Sequence, residues 1–316
     1  MSDENLSSLP VIGICGIGQM GSSAAVAFQR SGYRVLLWAR DEEKLRAVQS
    51  QLDTLALWSN ENLGPAKRDG GETVLCPDLT RLDAEADVVL DCILEVMDFK
   101  TELFRRFDSA KRRDALFLSA TSGLSITEMG RGGECESLLV GAHFWNPPHI
   151  IPVVEMIAGV ATPADKLDVA CALMEDIGKI PVRCKDVPGF VGNRLLHAMW
   201  REALALVEAG VCSAEELDRI VKLTFALRLP ALGPFENMDL VGLDAVQRIH
   251  KYLLPDLATN TEPSLLLVEK LDAGAAGMKS GQGFYDWKTR NAEQVIANRD
   301  RQIARQLEFL REIGDV

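Results

Sequence analysis

Residues 11–30 read VIGICGIGQMGSSAAVAFQR, and the interpretation of the whole chain starts from them. Val11, Ile12, Ile14 and the small Cys15 form an apolar run of the kind that fills a strand buried on both faces. Gly16, Gly18 and Gly21 follow on the G-x-G-x-x-G spacing. Each glycine has its own task. The first makes the tight turn, the second lets the backbone around Gln19 and Met20 approach a pyrophosphate, and the third lets a helix pack closely on the strand. From Ala24 the segment AAVAFQR runs without a breaker, and Gly32 closes the helix before a second apolar run, RVLLW, at residues 34–38. The helix N-terminus then faces the phosphates of a dinucleotide. A bare glycine pattern also marks ordinary loops, so the strand before it and the helix after it carry the reading.

The bulk numbers set the frame. A chain of 316 residues suggests about two domains, and 47% apolar with 25% charged residues is the balance of a globular protein with ample core. The net charge of -12 speaks against a nucleic-acid or anionic-membrane partner. No apolar run reaches membrane-spanning length, and the first ten residues, MSDENLSSLP, are polar and acidic, unlike a signal peptide. The seven cysteines are scattered without a C-x-x-C pair, which fits reduced thiols in a cytoplasmic protein.

After the second strand an acidic residue normally accepts the adenosine ribose hydroxyls of NAD. Here Ala39 and Arg40 stand instead. Alanine removes the charge that would repel a 2'-phosphate and the guanidinium can hold one, so the pair favours NADP over NAD. The alternative is a solvated Arg40, with Asp41 or Glu42 serving NAD. Residues 42–57 read as one helix with Leu45, Val48, Leu52, Leu55 and Leu57 on its apolar face, and residues 59–72 as a loop whose Lys67 and Arg68 are solvated charges.

A short strand at 73–76, a connection to residue 84 and a buried strand at 86–93 follow, with Glu95 just past the strand and Lys100 in the next helix. An acid and a base there occupy the ligand end of a parallel sheet, or else form an ion pair capping the helix. The strand at 115–120 runs into Thr121, Ser122 and Gly123. The strand at 138–142 delivers His143 directly after it, and Glu155 comes twelve residues later, beyond a second apolar run at 150–154. An imidazole so placed suits proton transfer, and a carboxylate within reach would fix its tautomer. A packed core or surface histidine is the plain alternative.

Taken in order, GIGQMGSSAA, ADVVLDCILEVMDFKTELF, SATSGLSITEM, GAHFWNPPHIIPVVEMIAG, KDVPGFVGNRLL, LGPFENMDLVGLD and GMKSGQGFYDW resemble the 3-hydroxyacyl-CoA dehydrogenase family over nearly the whole chain. The resemblance implies an α/β, Rossmann-type doubly wound domain at 1–188 and an all-α domain at 189–316. It also implies His143 as acid/base, Glu155 as its orienting partner, and Ser122 and Asn193 as holders of the substrate oxygen. Glu95 and Lys100 are similar to the family's cofactor-contacting acid and base, and Asn146 to a residue supporting the nicotinamide. Non-thioester relatives act on L-gulonate, carnitine or a pyridine-carboxylate aldehyde/alcohol pair. The segment from His143 to Pro152, the K-D-V-P-G-F block and the charged tail are at least as similar to the last of these. Trp145 and His149 depart from the usual acyl-CoA wording and either shape a small carboxylate pocket or simply pack. Asp91 replaces the usual glutamate of its strand.

Beyond a Pro/Gly hinge at 185–190 the pattern is helical: 191–208, a capping-box start at Ser213 with Glu216, a helix at 239–252 stopped by Pro255, the apolar segment 265–271, and a charged helix at 292–313. This half is expected to supply Asn193 and to form a homodimer. His197 and His250 lack a partner at metal-ligand spacing, and no metal site is expected. The leading expectation is NAD(P)-dependent hydride transfer at the secondary hydroxyl of a 3-hydroxyacyl thioester or 3-hydroxy acid. The alternatives are a small non-CoA alcohol or aldehyde substrate and, from another class, a silent nucleotide-binding or crystallin-like protein.

Overall fold

The computed structural model describes residues 9–315, so the reading of the first ten residues falls mostly outside the described ones. The strands are β1 (Ile12–Cys15), β2 (Arg34–Trp38), β3 (Glu72–Leu75), β4 (Val88–Asp91), β5 (Leu116–Ser119), β6 (Leu139–Phe144), β7 (Val153–Ala158) and β8 (Ile180–Lys185). They form one sheet in the order β3-β2-β1-β4-β5-β6-β7-β8. Neighbours run parallel except β6 and β7, which are antiparallel. The chain works outward from β1 in both directions, which makes this a Rossmann-type sheet with its crevice at the carboxyl ends of β1 and β4.

The central strands read as continuous apolar runs because both sheet faces are covered. On one face Leu37, Leu90, Leu118 and Val140 share a core with Phe28, Leu52 and Met174. On the other, their neighbours Leu36, Val89, Phe117 and Leu139 pack with Leu82, Phe104, Phe107 and Met129. The covering helices are α1 (Gln19–Arg30), α2 (Glu42–Ala47), α3 (Gln49–Leu63), α4 (Leu79–Glu85), α5 (Met97–Arg105), α6 (Asp108–Arg112), α7 (Ile126–Gly132) and α8 (Ala164–Asp176).

Several local expectations are corrected. The helix expected over 42–57 breaks at Val48 into α2 and α3, and α3 continues to Leu63 through residues read as loop. Leu57, assigned to its apolar face, is 60% exposed. The connection at 77–84 contains α4, started by Asp78, whose carboxylate accepts the Thr80 amide at 2.8 Å. The sixth strand runs to Phe144, so His143 lies inside the sheet instead of following it. Elements α8 and β8 were not anticipated. The supposed hinge after β8 is anchored: Asp186 accepts from Ser125 Oγ, Thr127 Oγ1 and the amides of Ile126 and Thr127 at 2.6–3.1 Å.

The chain divides into two compact units, one ending at Arg194 and the other beginning at Leu195. Helix α9 (Gly192–Glu208) starts in the first. The second unit contains α10 (Ala214–Leu223), α11 (Pro234–Val241), α12 (Leu243–Leu253), α13 (Leu265–Asp272) and α14 (Ala292–Ile313). The Ser213–Glu216 capping box is present. The helix expected at 239–252 is two helices, parted at Gly242, whose φ of 98° suits glycine. Glu208 holds the start of α13 through Ser264 Oγ at 2.5 Å and the Leu266 amide at 2.8 Å. Among the described residues no helix is long and apolar enough to cross a membrane.

Candidate active site

The three glycines of the β1–α1 turn differ in what surrounds them. At Gly16, with φ 118°, a Cβ would lie 2.4 Å from the Cys92 carbonyl oxygen, and at Gly21 it would lie 1.9 Å from that of Gly16. Those two are required by the fold itself. A Cβ at Gly18 would meet nothing within 4 Å, although this residue caps the N-terminus of α1. No side chain caps that terminus and no acid occupies its first turn, so free amides and the positive end of the helix dipole fit an anionic diphosphate. After β2, Ala39 is buried and Arg40 exposed. Asp41 is committed to capping α2, accepting the amides of Glu43 and Lys44 at 3.1 Å each, and the Lys44 amide foremost holds its carboxyl below the usual range.

At the end of β4, Asp91 and Lys100 form a buried ion pair at 2.8 Å. Asp91 also accepts from Ser119 Oγ at 2.7 Å and the Ile93 amide at 3.0 Å, which accounts for a carboxylate at this position. Lys100 reaches Glu95 Oε2 at 3.4 Å. The other Glu95 oxygen accepts Thr121 Oγ1 at 2.6 Å and the Ser122 amide at 2.7 Å. From the opposite side Asn193 Nδ2 donates to the Ser122 carbonyl at 2.7 Å. Ser122 is thus clamped through both its backbone groups, and the residue remains exposed.

His143 and Glu155 are direct cross-strand partners on β6 and β7, and their antiparallel pairing brings the side chains together. Nδ1 of His143 donates to Glu155 Oε2 at 2.7 Å, and each residue is only 4% exposed. The other carboxylate oxygen, Oε1, accepts the Val191 and Gly192 amides at 2.9 and 3.1 Å. Burial pushes the Glu155 carboxyl up, but the bonds from His143, Gly192 and Val191 outweigh it and the net shift is downward. Glu155 is therefore an anion beside the imidazole at neutral pH. With Nδ1–H so engaged, Nε2 is the nitrogen left to accept or return a proton.

The carboxylate of Glu155 thus ties the imidazole to the start of α9, one residue before Asn193. The structure brings Ser122 to Asn193 and His143 to Glu155, while Asn146 is exposed next to a cis peptide bond with Pro147.

Comparisons with known proteins identify the family. Residues 11–187 match the family described as 3-hydroxyacyl-CoA dehydrogenase, NAD binding domain, and residues 189–287 match its C-terminal domain. The chain belongs to the 3-hydroxyacyl-CoA dehydrogenase family. It is an NAD(P)-dependent oxidoreductase acting on a hydroxyl group. A 5-formyl-3-hydroxy-2-methylpyridine 4-carboxylate 5-dehydrogenase from Mesorhizobium japonicum is 32% identical over 295 residues, covering 92% of this chain and 95% of that protein. A probable 3-hydroxybutyryl-CoA dehydrogenase from Deinococcus radiodurans is 32% identical, covering 87% and 99%. Among solved structures, a pyridine-carboxylate 5-dehydrogenase described as an NAD+ dependent dismutase superposes with TM-score 0.91 at 31% identity, covering 96% and 99%. An (S)-3-hydroxybutyryl-CoA dehydrogenase from Ralstonia eutropha gives 0.70 at 27%, covering 89% and 99%.

In this member of the 3-hydroxyacyl-CoA dehydrogenase family Lys67 and Arg68 are exposed, as solvated charges would be, but both are also ion-paired to Asp176. Lys67 Nζ donates to Asp176 Oδ1 at 2.9 Å and Arg68 pairs with both carboxylate oxygens at 2.6–2.7 Å, while Tyr33 donates to Oδ2 at 2.6 Å. His149 packs edge-on against Trp58, centroids 5.0 Å apart, and lies 3.4 Å from Ser23 Oγ. Two further roles went unnoticed in the sequence, those of Asp186 and Lys179, and the Trp145 already singled out there proves to have a hydrogen-bond partner not anticipated. Asp186 anchors α7. Lys179 Nζ binds the Pro148 and Ile151 carbonyls at 2.5 and 2.8 Å. Trp145 donates its indole N–H to Glu155 Oε2 at 3.3 Å. Only the last had a signal, since residues 143 and 145 share one face of an extended strand.

Proposed function

We propose that this dehydrogenase interconverts the alcohol and carbonyl forms of a small carboxylic acid without CoA, of the pyridine-carboxylate kind, with His143 as acid/base. The mechanistic reading is carried by the His143–Glu155 pair, whose geometry leaves Nε2 available. The bound nicotinamide supplies or accepts the hydride. In oxidation His143 Nε2 takes the hydroxyl proton and the nearby Glu155 anion stabilises the imidazolium; in reduction the proton returns to the carbonyl oxygen. Asn193 keeps one Nδ2 hydrogen beyond its bond to Ser122. With the Ser122 hydroxyl it polarises the reacting oxygen by preorganised hydrogen bonds. Glu95 and Lys100 hold the Ser122 loop at the cofactor's edge, and Asn146 supports the nicotinamide side.

Two observations favour the small substrate. The fold superposes more closely on the pyridine-carboxylate enzyme than on the hydroxybutyryl-CoA enzyme. Lys67 and Arg68, the basic pair available between β2 and β3 for CoA phosphates, are instead bound to Asp176. The second reading, a 3-hydroxyacyl thioester, is supported by the 3-hydroxybutyryl-CoA dehydrogenases among the relatives. Steady-state rates with 5-formyl-3-hydroxy-2-methylpyridine 4-carboxylate and with acetoacetyl-CoA decide between them. A kcat/KM higher for the thioester overturns the small-substrate reading.

We further propose NADP as the preferred cofactor, on Ala39 and Arg40, although the pyridine-carboxylate structure is described as NAD+ dependent. The same reading places the domain boundary at 188/189, the protein in the cytoplasm, and two copies in contact through the helices of the second unit. Helices α9 to α13 contain no buried residue in the single chain, and Trp200, Phe235, Tyr252 and Leu265 are exposed on them.

A further inference from the structure

Glu155 receives more donors than it needs to orient one imidazole. Its Oε2 takes His143 Nδ1 at 2.7 Å and also the Trp145 indole N–H at 3.3 Å. The two rings stand two residues apart at the end of β6, with centroids separated by 5.2 Å. The indole is located by a separate feature: it lies over Gly192, where a Cβ would come within 2.1 Å of Trp145 Cζ2. We propose that Trp145 is a positioning residue that competes with His143 for Glu155 Oε2 and thereby sets how tightly the imidazole holds its proton. This rests on His143 being the acid/base group.

The surroundings leave the direction of the effect unambiguous. From β7 the pair faces Glu155 itself. From β8 comes the Cys184 thiol, 3.8 Å from Oε1, which burial and the Glu155 charge push up and keep neutral. From the turn before α9 come the Phe190 ring, 5.6 Å from the imidazole, and the Val191 and Gly192 amides. None of these partners brings a second full charge. An indole N–H on Oε2 withdraws negative charge from the oxygen that stabilises the imidazolium, so its removal strengthens the ion pair and the imidazole stays protonated to higher pH.

Two variants test this on the full-length protein. In Trp145→Phe the ring remains and the donor is lost. In Gly192→Ala the Trp is unchanged, but the new Cβ displaces the indole while the Gly192 amide is kept. The titration midpoint of His143, followed by NMR of the histidine Cε1 signals and assigned with His143→Gln, is expected to rise by about half a pH unit in both variants. The acid limb of the kcat/KM profile is expected to move with it. An unchanged or lowered midpoint in both variants overturns the role of Trp145. The NMR midpoint is read without turnover, so it keeps its meaning even if His143→Gln proves fully active. That result would refute the acid/base reading and leave the hydrogen-bond competition standing.

Discussion

At residue scale the site rests on one imidazole bonded on one side and open on the other. His143→Ala is expected to lower kcat by about a thousandfold, the range of a lost general acid/base group. Cofactor affinity, read by NAD(P)H fluorescence, should stay within about twofold, because the glycine turn is untouched; unchanged turnover would remove His143 from the mechanism. Glu155→Gln keeps the volume but withdraws the anion that stabilises the imidazolium, so a fall of about tenfold or more in kcat with little change in KM is expected. Arg40→Ala should raise KM for NADP well above any change for NAD, since only the former carries a phosphate there. Equal effects on both cofactors would return Arg40 to the role of a surface residue. The residue types at these positions were legible in the sequence. Glu155 as partner of His143 was expected too, whereas Asp91 meeting Lys100 and Trp145 meeting Glu155 were not legible, because they depend on strands and helices brought together by the sheet.

At the scale of elements the β1–α1 turn makes a sharp contrast between two of its glycines. Gly21→Ala sets a Cβ against the Gly16 carbonyl, 1.9 Å from its oxygen and 2.8 Å from its carbon, a backbone group with no flexible end to yield. It is expected to destabilise the protein by about 3 kcal/mol or prevent folding, as overpacking does. Gly18→Ala has open space around it and should change thermal stability by no more than about 0.5 kcal/mol. Its methyl group would nevertheless occupy the approach to the helix N-terminus, so cofactor affinity should fall at least tenfold by titration. Loss of stability with affinity intact would contradict that assignment. The strands were readable as apolar runs, and α14 as a periodic charged helix, since local patterning alone specifies them. The break between α2 and α3 and the split at Gly242 fall inside stretches of continuous helical pattern, and β8 is exposed and mixed, so none of them carried that local signal.

At the scale of the whole molecule, Asp176 joins distant segments by holding Lys67, Arg68 and Tyr33. Its hydrogen bond from Arg68 leads the interactions that keep its carboxyl well below the ordinary value, outweighing burial. A carboxyl depressed in the folded state stabilises it above the unfolded value of about 3.9, and that contribution is lost as pH falls through and below it. Asp176→Asn should therefore lower stability by about 2 kcal/mol at pH 7, and the gap from wild type should begin to narrow below about pH 4 in denaturant titrations and keep narrowing as pH falls toward the depressed native value. A gap that does not narrow at all between pH 5 and pH 2 would show that packing, and not charge, is what was lost. The proposed homodimer is checked by light scattering: a mass near twice 34.6 kDa is expected, and a monomer at micromolar concentration would contradict it. From the sequence by itself came the strand–glycine–helix unit, the two-part organisation and the identity of the family, because these lie in short contiguous motifs whose spacing is their content. Tertiary structure alone decided that His143 faces Glu155, that Ser122 is clamped between Glu95 and Asn193, and that the basic pair at 67–68 serves Asp176. A hydrogen bond acts over about 3 Å, and which side chains come that close is settled by the register of strands and the packing of helices far apart in the chain.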